Sequence, residues 1–287
     1  MVADWLRRHR GLVPYLFLVP GGLWLTLFFV VPLIVTVSVA LQEGSLGTGY
    51  QLTFNWGIFP EAITRWNEQL VRSILYGLIV TVLTMLIGYP MAYTIAFRGG
   101  KYKSLLLLLV IMPFFTSFII RTISWKFILA DQGFFLGTLK DLGIVEEGFR
   151  LLATPVAVIS GITYNFLPFV VLPLYVALER IDPKLIEAAT DLYASRFQAF
   201  LRVTLPLSIS GVFAATLLSF IPAVGDYLNA ELLGSRNETM IGNVIQRLYL
   251  VNNDYPQASA LSLILMVGIV ISVFIYRRVL RGQELTV

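Results

Sequence analysis

The sequence predicts an all-α integral membrane protein with six transmembrane helices. Of its 287 residues, 57% are hydrophobic and only 13% are charged, whereas a soluble domain carries about a quarter charged residues. Six stretches reach the roughly 20 mostly apolar residues that a spanning helix needs. Cysteine is absent and there is one histidine, so a disulfide framework is excluded and a Cys/His metal site nearly so. We therefore expect lipid around the chain and no metal in it.

The first predicted span follows a basic tail. The tail reads Arg-Arg-His-Arg at 7–10, and the apolar run that follows it reaches Leu41 before the polar residues 42–44. A cleaved signal peptide has a shorter apolar core and small residues at its cleavage site. We therefore expect this span to be retained.

The six predicted spans are each interrupted by glycine or proline. Their bounds are Leu12–Leu41, Leu70–Phe97, Ser104–Ala130, Leu152–Leu178, Leu207–Leu233 and Pro256–Tyr276. Spanning helices tolerate such residues when neighbouring groups satisfy the freed backbone atoms. For any single proline, such as Pro90, Pro113 or Pro168, ordinary helix packing is favoured over a kink that lines a pathway.

The distribution of Lys and Arg predicts the orientation, because cytoplasmic loops carry an excess of both. Thirteen of the 21 lie on one side: Arg7, Arg8, Arg10, Arg98, Lys101, Lys103, Arg180, Lys184, Arg196, Arg202, Arg277, Arg278 and Arg281. We therefore expect both termini and the segment between the fourth and fifth spans to face the cytoplasm. The net charge of +4 reflects these loops, and no nucleic-acid partner is predicted.

The segment 179–206, between the fourth and fifth spans, is charged and yet helix-forming. Asp182 followed by Pro183 is typical of a helix start, and Ser195 with Gln198 fits a capping box. Two short helices meeting at Tyr193 would form a compact knob. A helix lying on lipid headgroups needs a strongly basic polar face, whereas acidic and basic residues balance here. We therefore expect a protein partner.

Residues of this segment resemble a signature of ABC importer permease subunits, E-A-A-x₃-G-x₉-I-x-L-P. The match consists of Glu187-Ala188-Ala189, then Ala194, then Val203-Thr204-Leu205-Pro206. Arg72–Ala96 in addition resembles the first core helix of type I importer permeases. The resemblance implies a type I ABC importer permease fold. It divides the chain into an N-terminal region 1–69, a five-helix core 70–276 with a coupling insert at 179–206, and a tail 277–287.

The resemblance also implies partners and coupling residues. The partners are a second permease, two ATPase subunits that use ATP and Mg²⁺, and an extracytoplasmic binding protein. The residues implied in ATPase coupling are Glu187, Ala188, Ala189, Asp191, Tyr193, Ala194, Leu205 and Pro206. Tyr193 stands where the signature has Gly, and a left-handed turn would cost it about 1–2 kcal/mol. Either this corner stays right-handed, or Tyr193 makes a subfamily-specific contact.

The sequence shows no catalytic constellation. The run Gly99-Gly100-Lys101 lacks both the earlier Gly and the following Ser or Thr of a phosphate-binding loop. H-E-x-x-H and G-x-S-x-G are also absent. We therefore predict that this chain is not an enzyme, has no catalytic residue and no cofactor, and relies on another chain for ATP hydrolysis.

Ionisable residues in a span are costly and indicate function. The fifth span carries Asp226 and Glu231 beside Tyr227, and carboxylates next to aromatic rings suit a cation. Trp125 in the third span is a further candidate for the substrate path. The alternative is that both carboxylates are wetted, since Asp226 lies about 28 Å along its span. Arg121 is predicted to snorkel toward the interface.

Two stretches near the C-terminus indicate the cargo. Leu232–Gln246 and Asn253–Ser262 resemble the first permease of spermidine/putrescine importers, which implies polyamine cargo. Permeases for opines, thiamine or ferric iron share parts of this pattern and stay open as alternatives. An ATP-independent secondary transporter is the alternative from another class, although no inverted repeat is visible and the insert favours an ATPase partner.

Overall fold

The computed structural model describes residues 13–284, with side chains for residues 17–278. The basic tail at 7–10 and the end of the predicted tail 277–287 lie outside the described residues. The chain forms two compact units. One comprises Met1–Arg65 and Arg247–Ile264, and the other comprises Trp66–Gln246 and Leu265–Val287.

The first unit contains a membrane-length helix and a short hairpin. Its N-terminal elements are α1 (Val13–Leu25), a π-helical turn (Thr26–Val30), α2 (Val31–Ala40), β1 (Gln42–Ser45), β2 (Gly49–Leu52) and α3 (Ile58–Arg65). The two strands are antiparallel, with Gln42 opposite Leu52. The sequence does not predict this hairpin, because its short polar strands lack the alternation of a half-buried sheet.

The second unit begins with the long helices of the predicted core. Its first elements are α4 (Asn67–Arg98), α5 (Lys103–Ile111), a 3₁₀ turn (Met112–Phe115), α6 (Phe118–Leu129), α7 (Phe134–Asp141) and α8 (Pro155–Glu179). The insert follows as α9 (Pro183–Asp191), α10 (Arg196–Ala199), a π-helical turn (Phe200–Thr204) and α11 (Leu205–Leu207). The remaining elements of the chain are α12 (Ile209–Val224), α13 (Leu228–Leu233), a 3₁₀ turn (Arg236–Glu238), α14 (Ile241–Leu250) and α15 (Tyr255–Glu284).

The mostly helical membrane fold that the sequence predicts is confirmed. Among the described residues, four helical segments are long and apolar enough to cross a membrane: Phe17–Ala40, Asn67–Arg98, Pro155–Glu179 and Tyr255–Arg278. Two further helix pairs are bent, by 93° between Gly100–Phe115 and Phe118–Asp141, and by 70° between Arg196–Leu207 and Ile209–Val224. Counting each bent pair as one span gives the six predicted.

Proline alone does not decide where these helices break. Pro113 lies in the 3₁₀ turn before the 93° bend, whereas Pro90 and Pro168 lie inside the uninterrupted helices α4 and α8. The fifth span is not one continuous helix over the predicted Leu207–Leu233. Instead, α12 ends at Val224 and the chain turns before α13 begins.

The core of the second unit lies where α4, α8 and α12 pack together. One buried cluster includes Val80, Val158 and Ala223, and another includes Ala92 and Leu174. Small residues let helices approach closely in a membrane protein. This packing holds α12 and its C-terminal break against α4 and α8.

Candidate functional site

The insert folds as the two short helices that the sequence predicts. The Asp182 side chain accepts a hydrogen bond from the backbone N–H of Lys184 at 3.0 Å and caps α9. At α10, Ser195 Oγ accepts from the backbone N–H of Gln198 at 3.3 Å, and Gln198 Oε1 accepts from the backbone N–H of Ser195 at 2.8 Å. Both predicted caps are therefore confirmed.

The corner between α9 and α10 is left-handed, with φ of +63° at Tyr193. The backbone N–H of Ala194 donates to Ala189 O at 3.1 Å, and that of Tyr193 donates to Thr190 O at 3.0 Å. This is a Schellman ending, in which the left-handed residue is usually Gly. The expectation that the corner could stay right-handed is wrong, and Tyr193 bears a strain of about 1–2 kcal/mol.

The outer surface of the insert is apolar at this corner. The exposed fractions are 98% for Tyr193, 81% for Leu192 and 69% for Phe197. The Glu187 and Asp191 side chains on α9 are also exposed. Among the remaining predicted coupling residues, Ala188 is exposed. The others are partly buried: Ala189, Ala194, Leu205 and Pro206. Exposed apolar patches of this kind mark interaction sites.

The other end of the insert is packed against α4. The Phe200 ring lies 5.5 Å from the Tyr89 ring, edge to face, and 6.2 Å from the Tyr93 ring. The Tyr89 hydroxyl lies 2.7 Å from Ser208 Oγ, just before α12. The buried end of the insert therefore contacts α4, and α4 in turn contacts Ser208, the residue just before α12.

The break after α12 is organised by Asp226, which is only 7% exposed. Its Oδ1 accepts from the backbone N–H of Asn229 at 2.8 Å, and its Oδ2 accepts from Asn229 Nδ2 at 2.8 Å. The first of these bonds joins the residue that precedes Tyr227, the N-cap of α13, to the first turn of that helix. The alternative that both carboxylates are wetted at the interface is wrong for Asp226.

A buried polar network continues from Asn229 to two other helices. Asn165 Nδ2 on α8 donates to Asn229 Oδ1 at 3.1 Å, and Thr122 Oγ1 on α6 lies 3.3 Å from the same oxygen. The exposed fraction is 0% for Asn229 and Thr122 and 1% for Asn165. A Cβ at Gly161 would lie 2.9 Å from Asn229 Oδ1, so glycine is what allows this approach.

The sequence reasoning missed Asn165 and Thr122. The available signal was weak: Asn165 is a lone amide in the apolar fourth span, and polar side chains in spanning helices bond across helices. Asn165 Oδ1 has no hydrogen-bond partner within the described part of the chain. Which helix Asn165 would face is decided only by the packing.

Glu231 and Tyr227 lie at the same break but are more open than Asp226. The Glu231 side chain is exposed, and its Oε2 accepts from Asn243 Nδ2 at 3.0 Å. The same Nδ2 donates to Tyr227 O at 2.8 Å, and the Tyr227 residue is 43% exposed. Asn243 therefore ties α14 to the break and leaves a carboxylate and a ring accessible.

Trp125 lies in a different environment from the three residues of the break. Its ring packs 5.5 Å from the Tyr164 ring, edge to face. Both rings line an apolar cavity of about 510 Å³ between α4 and α8, together with Leu83 and Ile159. The structure thus brings Asp226, Tyr227 and Glu231 together, with Trp125 on a separate apolar wall.

Arg121 does not snorkel as the sequence predicts. It is 7% exposed, and its guanidinium carbon lies 5.6 Å from the Phe118 ring centroid and 5.9 Å from that of Phe114. Its Nε and Nη1 have no hydrogen-bond partner among the described residues. The bend before α6 turns this side chain inward, where cation–π contact replaces hydration. As for metals, no group of three or more His, Cys, Asp or Glu within residues 13–284 could hold an ion.

Relatives of this chain are found over nearly its whole length. Residues 85–284 match the family described as binding-protein-dependent transport system inner membrane component. The chain is 38% identical over 265 residues to the spermidine/putrescine transport system permease protein PotB of Haemophilus influenzae, covering 89% of this chain and 90% of the relative. It is 34% identical over 259 residues to PotB of Escherichia coli, covering 90% and 94%.

Solved structures show the same fold. A bacterial ABC transporter involved in the import of the acidic polysaccharide alginate superposes with a TM-score of 0.70 at 21% identity, covering 98% of this chain and 99% of the other. The MetNI methionine ABC transporter superposes with a TM-score of 0.57 at 18% identity, covering 78% and 96%. At these identities the likeness concerns the fold alone.

Proposed function

Because the chain belongs to the family of binding-protein-dependent transport system inner membrane components, we propose that it is a permease subunit of an ATP-driven importer of polyamines such as spermidine and putrescine. The observation that carries the cargo is the 38% identity to a spermidine/putrescine permease across 89% of this chain. The chain itself catalyses no reaction and provides part of the path through the inner membrane.

The proposed complex contains four kinds of partner. A second permease completes the translocation path, two ATPase subunits hydrolyse ATP with Mg²⁺, an extracytoplasmic binding protein delivers the cargo, and lipid surrounds the spans. The absence of a phosphate-binding loop from this sequence supports a separate ATPase. The clustering of Lys and Arg on one side supports cytoplasmic termini.

The insert is the proposed contact with the ATPase. Its exposed face carries Glu187, Asp191 and Tyr193, and its buried end carries Phe200 against Tyr89. When the ATPase pair closes on ATP, the docked insert moves with it and displaces the ends of α4 and α12. Chemical energy thereby reaches the path without a catalytic group in this chain.

The break after α12 is the proposed cargo contact of this chain. Both Asp226 oxygens are used by Asn229, whereas the Glu231 side chain is exposed. We assign the direct contact with an ammonium group to Glu231, with the Tyr227 ring beside it for cation–π attraction. Asp226 shapes the break, and Trp125 forms an apolar wall suited to methylene groups.

The test is ATP hydrolysis by the complex that co-purifies with this chain, reconstituted in lipid with its binding protein. We expect spermidine to stimulate hydrolysis and Glu187→Ala to abolish the stimulation while the chain stays in the membrane. Glu147→Ala, which removes an exposed carboxylate from another loop, is the matched control and keeps the stimulation. Hydrolysis that ignores spermidine contradicts the cargo. No co-purifying ATPase in mild detergent contradicts the importer and favours an ATP-independent transporter.

A further inference from the structure

Tyr193 is held in a backbone conformation that does not suit it. Its φ of +63° is one that side chains other than Gly adopt at a cost. Its backbone N–H completes the Schellman ending of α9, and a glycine would make the same bond without strain. Gly, the residue that the signature has at this position, would therefore make the local fold more stable than Tyr does.

Nothing within the described part of the chain compensates for this strain. The Tyr193 side chain is 98% exposed, and no hydrogen bond or ring contact of the described residues involves it. A strained residue persists only where something else determines it, and such residues cluster at functional sites. The strain at Tyr193 therefore calls for a contact that the described residues do not supply.

The surroundings of Tyr193 fit a protein pocket better than a lipid surface. Leu192 and Phe197 flank the corner with exposed fractions of 81% and 69%. Between residues 182 and 206 the insert carries equal numbers of acidic and basic residues, namely Asp182, Glu187, Asp191, Lys184, Arg196 and Arg202. A lipid surface instead selects a strongly basic polar face. Tyrosine is enriched among the few side chains that carry most of the energy of a protein interface.

We propose that Tyr193 is the anchor by which this permease selects its own ATPase subunit. The ring enters an apolar pocket of that ATPase, with the phenol oxygen at the polar rim and with Leu192 and Phe197 sealing the edge. This inference rests on the proposed function, which places the insert against an ATPase. Glu187-Ala188-Ala189 matches the signature. Tyr193 departs from the signature, so a contact made by its ring can distinguish this permease from others of the family.

The experiment measures binding of the purified ATPase to the full-length permease pair in lipid nanodiscs. Tyr193→Gly is expected to fold at least as well as the unchanged chain, because it relieves the strain, and yet to weaken ATPase binding by about tenfold or more. Tyr193→Phe keeps the ring and is expected to stay within about threefold, because hydrophobic burial contributes most of the binding energy of an aromatic anchor. Phe134→Ala removes a ring that is 91% exposed from the start of α7, away from the insert, and serves as the control.

A second arm measures selectivity with the ATPase of another importer from the same cell. The unchanged permease should prefer its own ATPase, and Tyr193→Gly should lose most of that preference. Tyr193→Asn, which tolerates the left-handed backbone, is measured in parallel and replaces the glycine variant if that variant does not stay monodisperse. If the measured variant binds the ATPase as tightly and as selectively as the unchanged permease, the inference is wrong. The importer function would still be supported by the loss of stimulation in Glu187→Ala. An unchanged permease that binds no ATPase overturns the proposed function itself.

Discussion

The insert at 182–206 and the polar break at 225–243 use hydrogen bonds in opposite ways. In the insert, the bonds that begin and end the helices join residues two to five positions apart, as in the Ser195–Gln198 capping box. At the break, Asn229 bonds to Asn165 across 64 positions and to Thr122 across 107. The hydrogen bonds of the insert are local and leave most of its side chains exposed, whereas Asn229, Asn165 and Thr122 join three packed helices and are buried.

The insert and the break therefore differ in how much of their surface can bind a partner. Local bonds satisfy the backbone of the insert, so its exposed side chains are available to another protein. The amides of Asn229 and Asn165 at the break bond to other residues of the chain, so their first role is to hold the helices together. Burial in the interior also raises the cost of losing a bond, because an unpaired polar group there regains no water.

The largest expected effect is at the centre of the buried network. Asn229→Leu removes the oxygen to which Asn165 donates and the Nδ2 that donates to Asp226. It should lower the free energy of unfolding by about 2–3 kcal/mol. The measurement is thermal unfolding of the purified complex in detergent. Asn237→Leu, at an exposed position a few residues further along the chain, is the control and should change little. Equal melting temperatures in the two variants would mean that the network does not organise the break.

The next effect separates the two carboxylates of the break. Glu231→Gln should lower spermidine uptake by about tenfold, equivalent to about 1.4 kcal/mol of lost attraction to an ammonium group, with stability and ATPase binding unchanged. Asp226→Asn should instead lower stability, because an amide cannot accept both bonds from Asn229. The measurements are uptake into proteoliposomes and thermal unfolding on the same preparations.

A reversed pattern would contradict this division. If Asp226→Asn lowered uptake at full stability and Glu231→Gln changed nothing, the buried carboxylate would be the cargo contact. Normal uptake in both variants would return the break to a structural role alone.

The smallest effect is expected at the capping box of the insert. Ser195→Ala should lower the stability of α10 by about 1 kcal/mol, and amide hydrogen exchange should increase only between residues 196 and 204. Ser210→Ala, at an exposed serine near the start of α12, is the control. Faster exchange at 228–233 in the Ser195 variant would show that the two regions are coupled rather than independent.

The membrane class, the six apolar stretches, the family resemblance and both helix caps of the insert follow from the sequence alone. These features depend on composition, or on residues within about one helical turn of each other, such as Asp182 with Lys184. The comparisons confirm the importer-permease family, and the structure confirms the caps. The handedness of the corner does not follow from the sequence, because Tyr193 stands where the signature has Gly.

Which polar side chains of the spans are buried depends on how the helices pack together. Arg121 was expected at the interface, and the bend before α6 turns it inward against two phenylalanine rings. The sequence allows Asp226 to be either wetted or buried, and the structure shows that Asn229 donates to both of its oxygens. An apolar stretch indicates that a helix avoids water. The hydrogen-bond partner of a polar group in that helix depends on which other helices pack beside it, because those helices are distant in the sequence.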